Sequence, residues 1–395
     1  MGVLRARRLV AHNDVVGSDR VSFGVLGPLQ MTLGGGTAVS LGTPKQRAVL
    51  AVLLVNRNRP VSSDALINGA WEHWVPAEAR TSLHSYVSNL RRLLNSAGVD
   101  GRTVLAARAP GYQLSVADMD CDVGRFVLEQ TAGVRAAAAG QFEQASQHLS
   151  AGLAQWRGPV LEDLRDFQFV EAFAAALTED KVVVQITRAE AEIACGRGYA
   201  VIGELEALTA EHPYREPVWA QLITAYYVAE RQSDALEAYR RVKSTLAEDL
   251  GIDPGPGIRA LHERILRQEA LDIKRIVRTA AAHTVRVLDQ RTVVTAQSAG
   301  AVLQAVSGRS YALTSAATRI GRLDDNDVVL ADDETVSRHH AVISDTGISF
   351  VITDLRSANG VYVADQRIRG SVALADGDRI RICTHDFVFQ IRPPD

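Results

Sequence analysis

Leu83-His84-Ser85-Tyr86-Val87-Ser88-Asn89-Leu90-Arg91-Arg92-Leu93-Leu94 is the stretch on which the fold of this 395-residue chain turns. Its apolar residues Leu83, Val87, Leu90 and Leu94 recur at the helical period, so the spacing predicts an amphipathic helix over about 77–95. Arg80, His84, Ser85, Ser88, Asn89, Arg91 and Arg92 fall on the opposite side. Such a face is either a solvated surface or a surface that docks onto a polyanion, and the neighbouring sequence decides between them.

Upstream, Val21, Phe23 and Val25, then Leu29, Met31 and Leu33, alternate around turns at Gly27-Pro28 and Gly34-Gly35-Gly36, the pattern of short strands. Thr43-Pro44 sets a good N-cap before a residue suited to the first helical position, which predicts a helix over Pro44–Val55. Another helix is expected from Ser63 or Asp64 to about Trp71. Downstream, Val104-Leu105, a turn at Ala109-Pro110-Gly111 and Tyr112-Gln113-Leu114 read as a β-hairpin. Strands, three helices and a closing hairpin make a winged helix-turn-helix, whose third helix enters the major groove of double-stranded DNA. Charge agrees: residues 1–118 carry a net +6, 119–270 carry -9 and 271–395 carry zero, so only the first segment suits a polyanion. Arginine and asparagine can pair bidentately with base edges. Arg80, His84, Ser88, Asn89, Arg91 and Arg92 are therefore the candidates for base or phosphate contacts.

Residues 119–270 are alanine-rich and helical in pattern, with breaks at Gly140, Arg157-Gly158-Pro159, Cys195-Gly196-Arg197-Gly198, His212-Pro213 and Asp253-Pro254-Gly255-Pro256-Gly257. Helix pairs between those breaks suit a helical repeat array. Residues 271–308 hold scattered Val and Thr and are read as a linker with room for short strands. From about Tyr311, short apolar runs separated by Asp, Gly, Asn or Ser indicate a β-sandwich of about ten strands. The expected architecture is multidomain α+β: a tail at 1–20, a winged helix at 21–118, an all-α domain at 119–270, the linker, and an all-β domain at 309–395.

Leu90-Arg91-Arg92-Leu93-Leu94 with Pro110-Gly111-Tyr112-Gln113-Leu114 resembles the DNA-binding domain of OmpR-type response regulators. Leu26-Gly27-Pro28-Leu29, Gly42-Thr43-Pro44-Lys45-Gln46-Arg47 and Ser85-Tyr86-Val87-Ser88-Asn89-Leu90-Arg91 are similar to the streptomycete antibiotic regulatory protein (SARP) family. Ala247-Glu248-Asp249-Leu250-Gly251-Ile252-Asp253-Pro254 resembles the end of that family's bacterial transcriptional activator domain. Its tetratricopeptide-like superhelix implies dimerisation or contact with RNA polymerase, and no individual contact residue carries over. Ile320-Gly321-Arg322, Val336-Ser337-Arg338-His339-His340-Ala341, Asp354-Leu355-Arg356-Ser357-Ala358-Asn359-Gly360 and Leu374-Ala375-Asp376-Gly377-Asp378 follow the order and spacing of the forkhead-associated (FHA) domain.

The FHA resemblance implies that Arg322, Ser337 and Arg338 hold the phosphate of a phosphothreonine and Asn359 the ligand backbone, with Gly321, His340 and Gly360 supporting the loops. The chemistry is coherent, because a phosphorylated threonine brings about -1.5 to -2 charges and three strong acceptors that suit a guanidinium and neutral donors. The combination implies a transcription regulator tied to Ser/Thr protein kinase signalling, bound to promoter DNA as a homodimer, with cell-wall arabinan genes among its targets. The alternative is a phosphopeptide-binding adaptor that sequesters a kinase and has little promoter activity. Asp332-Asp333-Glu334, just before Ser337, either opposes a phosphate or selects basic residues in the ligand.

No GxxxxGK[ST] loop, HExxH, GxSxG or kinase catalytic set occurs, so no enzyme activity, catalytic residue or cofactor is expected. His339-His340 does not suggest a metal, since neighbours on a strand point to opposite faces. Cys121, Cys195 and Cys383 are too far apart for a disulfide framework, and the longest apolar run, Ala48 to Val55, is far shorter than the roughly 20 residues of a membrane span. A cytoplasmic protein without a membrane partner is expected.

Overall fold

The computed structural model describes residues 21–34, 36–71, 75–295, 301–306, 308–313, 317–345, 350–368 and 370–391. The tail expected at 1–20 lies outside them. The described residues begin with an antiparallel sheet of β1 (Ser22–Gly24), β2 (Gln30–Leu33) and β3 (Thr37–Ala38). Next come α1 (Pro44–Val55), β4 (Pro60–Ser62), α2 (Ser63–Trp71), α3 (Ala79–Ser96), α4 (Gly101–Val104), β5 (Leu105–Arg108) and β6 (Gly111–Leu114). Thr43 caps α1 through its side-chain oxygen, which accepts from the Gln46 N–H at 3.3 Å, with Pro44 in the first turn. The hairpin β5–β6 gains β4 as a third strand, pairing Val61 with Tyr112. No pattern foretells β4, because three residues beginning at a proline show no alternation.

A helical array follows: α5 (Asp122–Ala138), α6 (Phe142–Leu153), α7 (Gln168–Ala194), α8 (Gly198–Glu211), α9 (Glu216–Val228), α10 (Gln232–Leu250) and α11 (Pro256–Leu266). Residues 271–308 are not the expected linker. They hold α12 (Ile273–Thr295), which packs on α5 and α7, and β7 (Ala301–Ala305), a strand of the sandwich. Among its described side chains, Val277 and Ala281 are buried and stand beside Lys274, Arg275 and Arg278, so the helicity of α12 rests on tertiary contact more than on a visible pattern. No described helix is long and apolar enough to cross a membrane.

The sandwich is completed by β8 (Ser310–Leu313), β9 (Ala317–Gly321), β10 (Val328–Val329), β11 (Ala341–Asp345), β12 (Phe350–Asp354), β13 (Val361–Val363), β14 (Gln366–Arg367), β15 (Ser371–Leu374), β16 (Arg379–Ile382) and β17 (His385–Ile391). One sheet runs β10-β9-β11-β12-β15, the other β14-β13-β16-β17-β7-β8. Ile320, Ile343, Ile352, Ile380, Phe387 and Phe389 fill the space between them.

These modules are joined tightly. Phe23 and Met31 of the first sheet and Leu26 of the loop between β1 and β2 share one apolar core with Phe126, Leu149 and Leu177 of α5, α6 and α7. At the seam Asp122, only 3% exposed, accepts from the backbone N–H groups of Val25 and Leu26 at 2.9 Å and from Arg157 at 3.2 Å. Arg157 and Leu161 donate backbone N–H bonds back to the carbonyls of Leu26 and Val25. Asp163 accepts from the Leu29 N–H at 2.7 Å and pairs with Arg47 at 2.8 Å. Further along, α7 contributes Val170, Phe173 and Leu177 to this core and Val182, Ala189 and Ile193 to a second core with α8 and α9, while also touching β9, β11, β12 and β15. Arg59 reaches Asp345 of β11 at 2.5 Å.

Replacing Asp122 with Ala strands the buried N–H donors of Val25 and Leu26, removes the acceptor of the Val123 N–H and unpairs Arg157. At about 1–3 kcal/mol per unsatisfied buried group, the variant should lose on the order of 3 kcal/mol in denaturant unfolding. A loss below about 0.5 kcal/mol would show that the seam does not depend on this carboxylate.

Candidate functional site

On α3, Ala79, Leu83, Val87, Leu90 and Leu94 are buried, so the opposite side is presented outward. The six residues selected from sequence divide. Arg80, His84, Ser88 and Arg92 are exposed, although Arg80 pairs with Asp64 at 2.6 Å and the His84 ring meets Tyr112 edge-on at 6.5 Å. Arg91 and Asn89 lie on the two flanks and are half-buried. Arg91 donates through Nε to the Leu105 carbonyl at 2.9 Å and lies over the Tyr112 ring at 5.7 Å, bracing α3 against the hairpin. Asn89 donates to Gln46 Oε1 at 3.2 Å and accepts from Arg92 at 3.0 Å, tying α3 to α1.

Thr81 and Ser85, which sequence reasoning left out of the contact set, are exposed beside Ser88 and Arg92 at the centre of this face. The signal was available: at 100° per residue these four positions lie on the side away from the leucine stripe, Ser85 and Arg92 almost directly opposite it. Arg108 is exposed next to the turn of the β5–β6 hairpin.

At one end of the sandwich three loops converge, those after β9, before β11 and before β13. Arg322, Ser337, Arg338 and Asn359 line one cavity of about 660 Å³ there. Arg322 is held by its own backbone N–H to the Ser337 carbonyl at 3.1 Å and by Nε to the Val336 carbonyl at 3.3 Å. Ser337 Oγ accepts from the Ala358 N–H at 3.1 Å, which leaves the hydroxyl proton for a ligand. Asn359 Nδ2 donates to the Thr335 carbonyl at 2.7 Å.

Behind them His340 is fully buried. Its Nδ1 accepts from the Ser337 N–H at 3.0 Å and its Nε2 lies 3.2 Å from the Gly360 carbonyl, so the ring bridges two loops only as the neutral tautomer protonated at Nε2. Burial holds its pKa below the usual 6.5. The glycines have steric reasons. A Cβ on Gly321 would sit 2.3 Å from the Arg338 carbonyl oxygen, and Gly360 has φ +78°.

The acidic run does not act as one unit. Asp333 is turned back into the protein, accepting from the Thr335 hydroxyl, from Thr384 Oγ1 at 2.6 Å and from the Thr335 N–H at 2.9 Å; these bonds hold its carboxyl well below the usual range. Of the three, only Glu334 lines the cavity. Arg319 lines it too, a position legible in retrospect because it alternates with the buried Ile320 on β9.

Three family matches cover these modules in order. Residues 36–114 match the family described as transcriptional regulatory protein, C terminal, residues 121–266 the bacterial transcriptional activator domain, and residues 318–383 the FHA domain. The transcriptional regulatory protein EmbR of Mycobacterium tuberculosis is 68% identical over 373 residues, which is 94% of this chain and 96% of that protein. The chain belongs to the SARP-type transcriptional regulators. This SARP-type chain is also 54% identical over 253 residues to MoaR1 of Mycobacterium tuberculosis, 64% of this chain and 81% of that one. The solved structure of Mycobacterium tuberculosis EmbR in complex with a low affinity phosphopeptide matches it with a TM-score of 0.92 at 67% identity, covering 95% of this chain and 99% of that one.

Because an unfolded histidine binds a proton near pH 6.5 while buried His340 resists it, His340 supports stability fully above that pH and loses it as the pH falls toward its lower folded pKa. The melting temperature of the sandwich should drop between pH 7.5 and pH 5.5, and a His340→Gln variant should lose that part of the slope. Identical slopes in the two proteins would exclude the neutral bridge.

Proposed function

We propose that this SARP-type regulator binds promoter DNA through α3 and the β5–β6 hairpin, and that its FHA domain binds a threonine-phosphorylated Ser/Thr protein kinase or a substrate of one. Kinase signalling is thereby coupled to gene control. The observation that carries the proposal is the convergence of Arg322, Ser337, Arg338 and Asn359 on one cavity. A guanidinium and a hydroxyl on a braced edge suit a dianionic phosphate, and a side-chain amide suits the peptide backbone beside it. The phosphopeptide bound by the similar EmbR supports the same assignment.

The DNA half rests on the outward face of α3, where Thr81, Ser85, Ser88 and Arg92 stand clear of the core, with His84 and Arg91 toward the hairpin and Arg80 beside Asp64 of α2. The acidic helical array is the surface proposed to meet RNA polymerase or a second copy of the chain on repeated half-sites. Cell-wall arabinan genes are the proposed targets on resemblance alone. Soluble action in the cytoplasm belongs to the same proposal.

Two variants test the halves separately. Arg322→Ala should weaken binding of a phosphothreonine peptide about 10- to 100-fold by titration calorimetry, from the loss of charge-assisted hydrogen bonds of about 1.5–3 kcal/mol each, and leave promoter affinity unchanged. Arg92→Ala should weaken promoter binding and lower the slope of log K against log salt by about one, as expected for one lost phosphate contact. Wild-type peptide affinity in the first variant would remove Arg322 from the phosphate site. Absence of salt-dependent promoter binding by the wild-type chain would favour the adaptor reading.

A further inference from the structure

The cavity at the end of the sandwich is not built by the sandwich alone. Its second wall is the first turn of α7, where Gln168, Phe169, Glu171 and Ala172 line the same space as Arg322, Ser337 and Asn359. The placement follows from the packing of α7 across β9, β11, β12 and β15, which brings the start of the helix level with the converging loops. Phe169 is half-buried and its ring lies 6.0 Å from that of Phe167, which in turn lies 5.4 Å below the Lys45 ammonium of α1. The wall is therefore anchored to the winged-helix module as well as to the helical array.

Charge on this lining is mixed. Arg319, Arg322 and Arg338 supply cations, while Glu171 from α7 and Glu334 from the β10–β11 loop supply carboxylates. Both carboxylates are exposed, and among the described residues neither has an ion-pair partner, although three guanidinium groups line the same cavity. The positive and negative groups thus stand apart instead of cancelling. A ligand that carried only a phosphate would leave the carboxylates facing its negative charge. A ligand that carries a phosphate and a cationic side chain satisfies both sets.

We infer that the first turn of α7 is a specificity-determining wall of the phosphopeptide site, and that Glu171 receives a lysine or arginine flanking the phosphothreonine. This rests on the proposed phosphothreonine reading of the sandwich and adds a part contributed by another domain. Glu334 lies on the sandwich side of the same space and adds to the preference. Peptides with acidic flanks are disfavoured by both carboxylates. The site is complete only when the helical array and the sandwich are docked.

The test uses the full-length chain and a set of phosphothreonine peptides in an alanine background, in which one lysine is moved from three residues before the phosphothreonine to three residues after it. Exposed ion pairs contribute about 0.2–1 kcal/mol, so lysine at the favoured position should tighten binding up to about 5-fold over alanine. Glu171→Gln should abolish that preference and, by removing a carboxylate that faces the phosphate, should tighten binding of the all-alanine phosphopeptide rather than weaken it; weaker binding of that peptide would contradict the assigned role. Because Glu171 is exposed, the variant should keep the wild-type melting temperature, which is checked alongside. A flat lysine scan, or a preference that survives Glu171→Gln, overturns the inference while phosphothreonine binding that depends on Arg322 leaves the broader proposal standing. Failure of the wild-type chain to bind any of the phosphopeptides overturns both.

Discussion

The carboxylate of Asp122 is the constraint on which the arrangement of this molecule depends. It is buried at the first residue of α5, and it holds the loop between β1 and β2 by two backbone N–H bonds while pairing with Arg157. A buried carboxylate is tolerated only where donors surround it, so the loop cannot leave without stranding a charge. Asp163 repeats the device one step away on Leu29 and Arg47. The winged helix is thereby fused to the helical array through a common core, and the orientation of α3 is set by the array as well as by its own helices.

The same logic extends through α7 to the other end of the molecule. One helix of 27 residues, about 40 Å long at 1.5 Å per residue, joins two cores and lies across a sheet of the sandwich. A rigid element of that length places its first turn at the loop end of the sandwich and its last turns among α8 and α9. Rigidity also serves the cavity itself. His340 pins the Ser337 and Gly360 loops together, Asp333 ties the β10–β11 loop to Thr384, and Gly321 lets the Arg338 carbonyl approach closely. Donors held this way lose little freedom when a ligand arrives.

What could be read from the sequence was what backbone geometry or periodicity demands. The Thr43-Pro44 start of α1, the leucine stripe of α3, the helix breaks of the array and the ordered glycine, serine, histidine and asparagine positions of the sandwich loops each have a local cause. Long-range partners had none. Nothing in Asp120-Cys121-Asp122 announces that its last carboxylate accepts from a backbone about a hundred residues earlier, because an N–H group has no sequence signature. The α12 segment looked like a linker because Val277 and Ala281 make a weak stripe. Asp333 and Glu334 are adjacent and chemically alike, yet one braces a loop and the other faces the cavity, a difference only the folded loop creates. The wall from α7 lay beyond any motif, since it depends on how two domains dock.

Native-state hydrogen exchange on the full-length chain measures the fusion of the first two modules most directly. If Asp122 and the shared core join them, the amides of Val25 and Leu26 should exchange only through the same global opening as the core of α5 and α7, with matching free energies and matching denaturant dependence. Exchange of the β1–β2 loop and the α1 core through a separate opening of lower free energy, with α5 and α7 still protected, would show an independent winged helix and contradict the account.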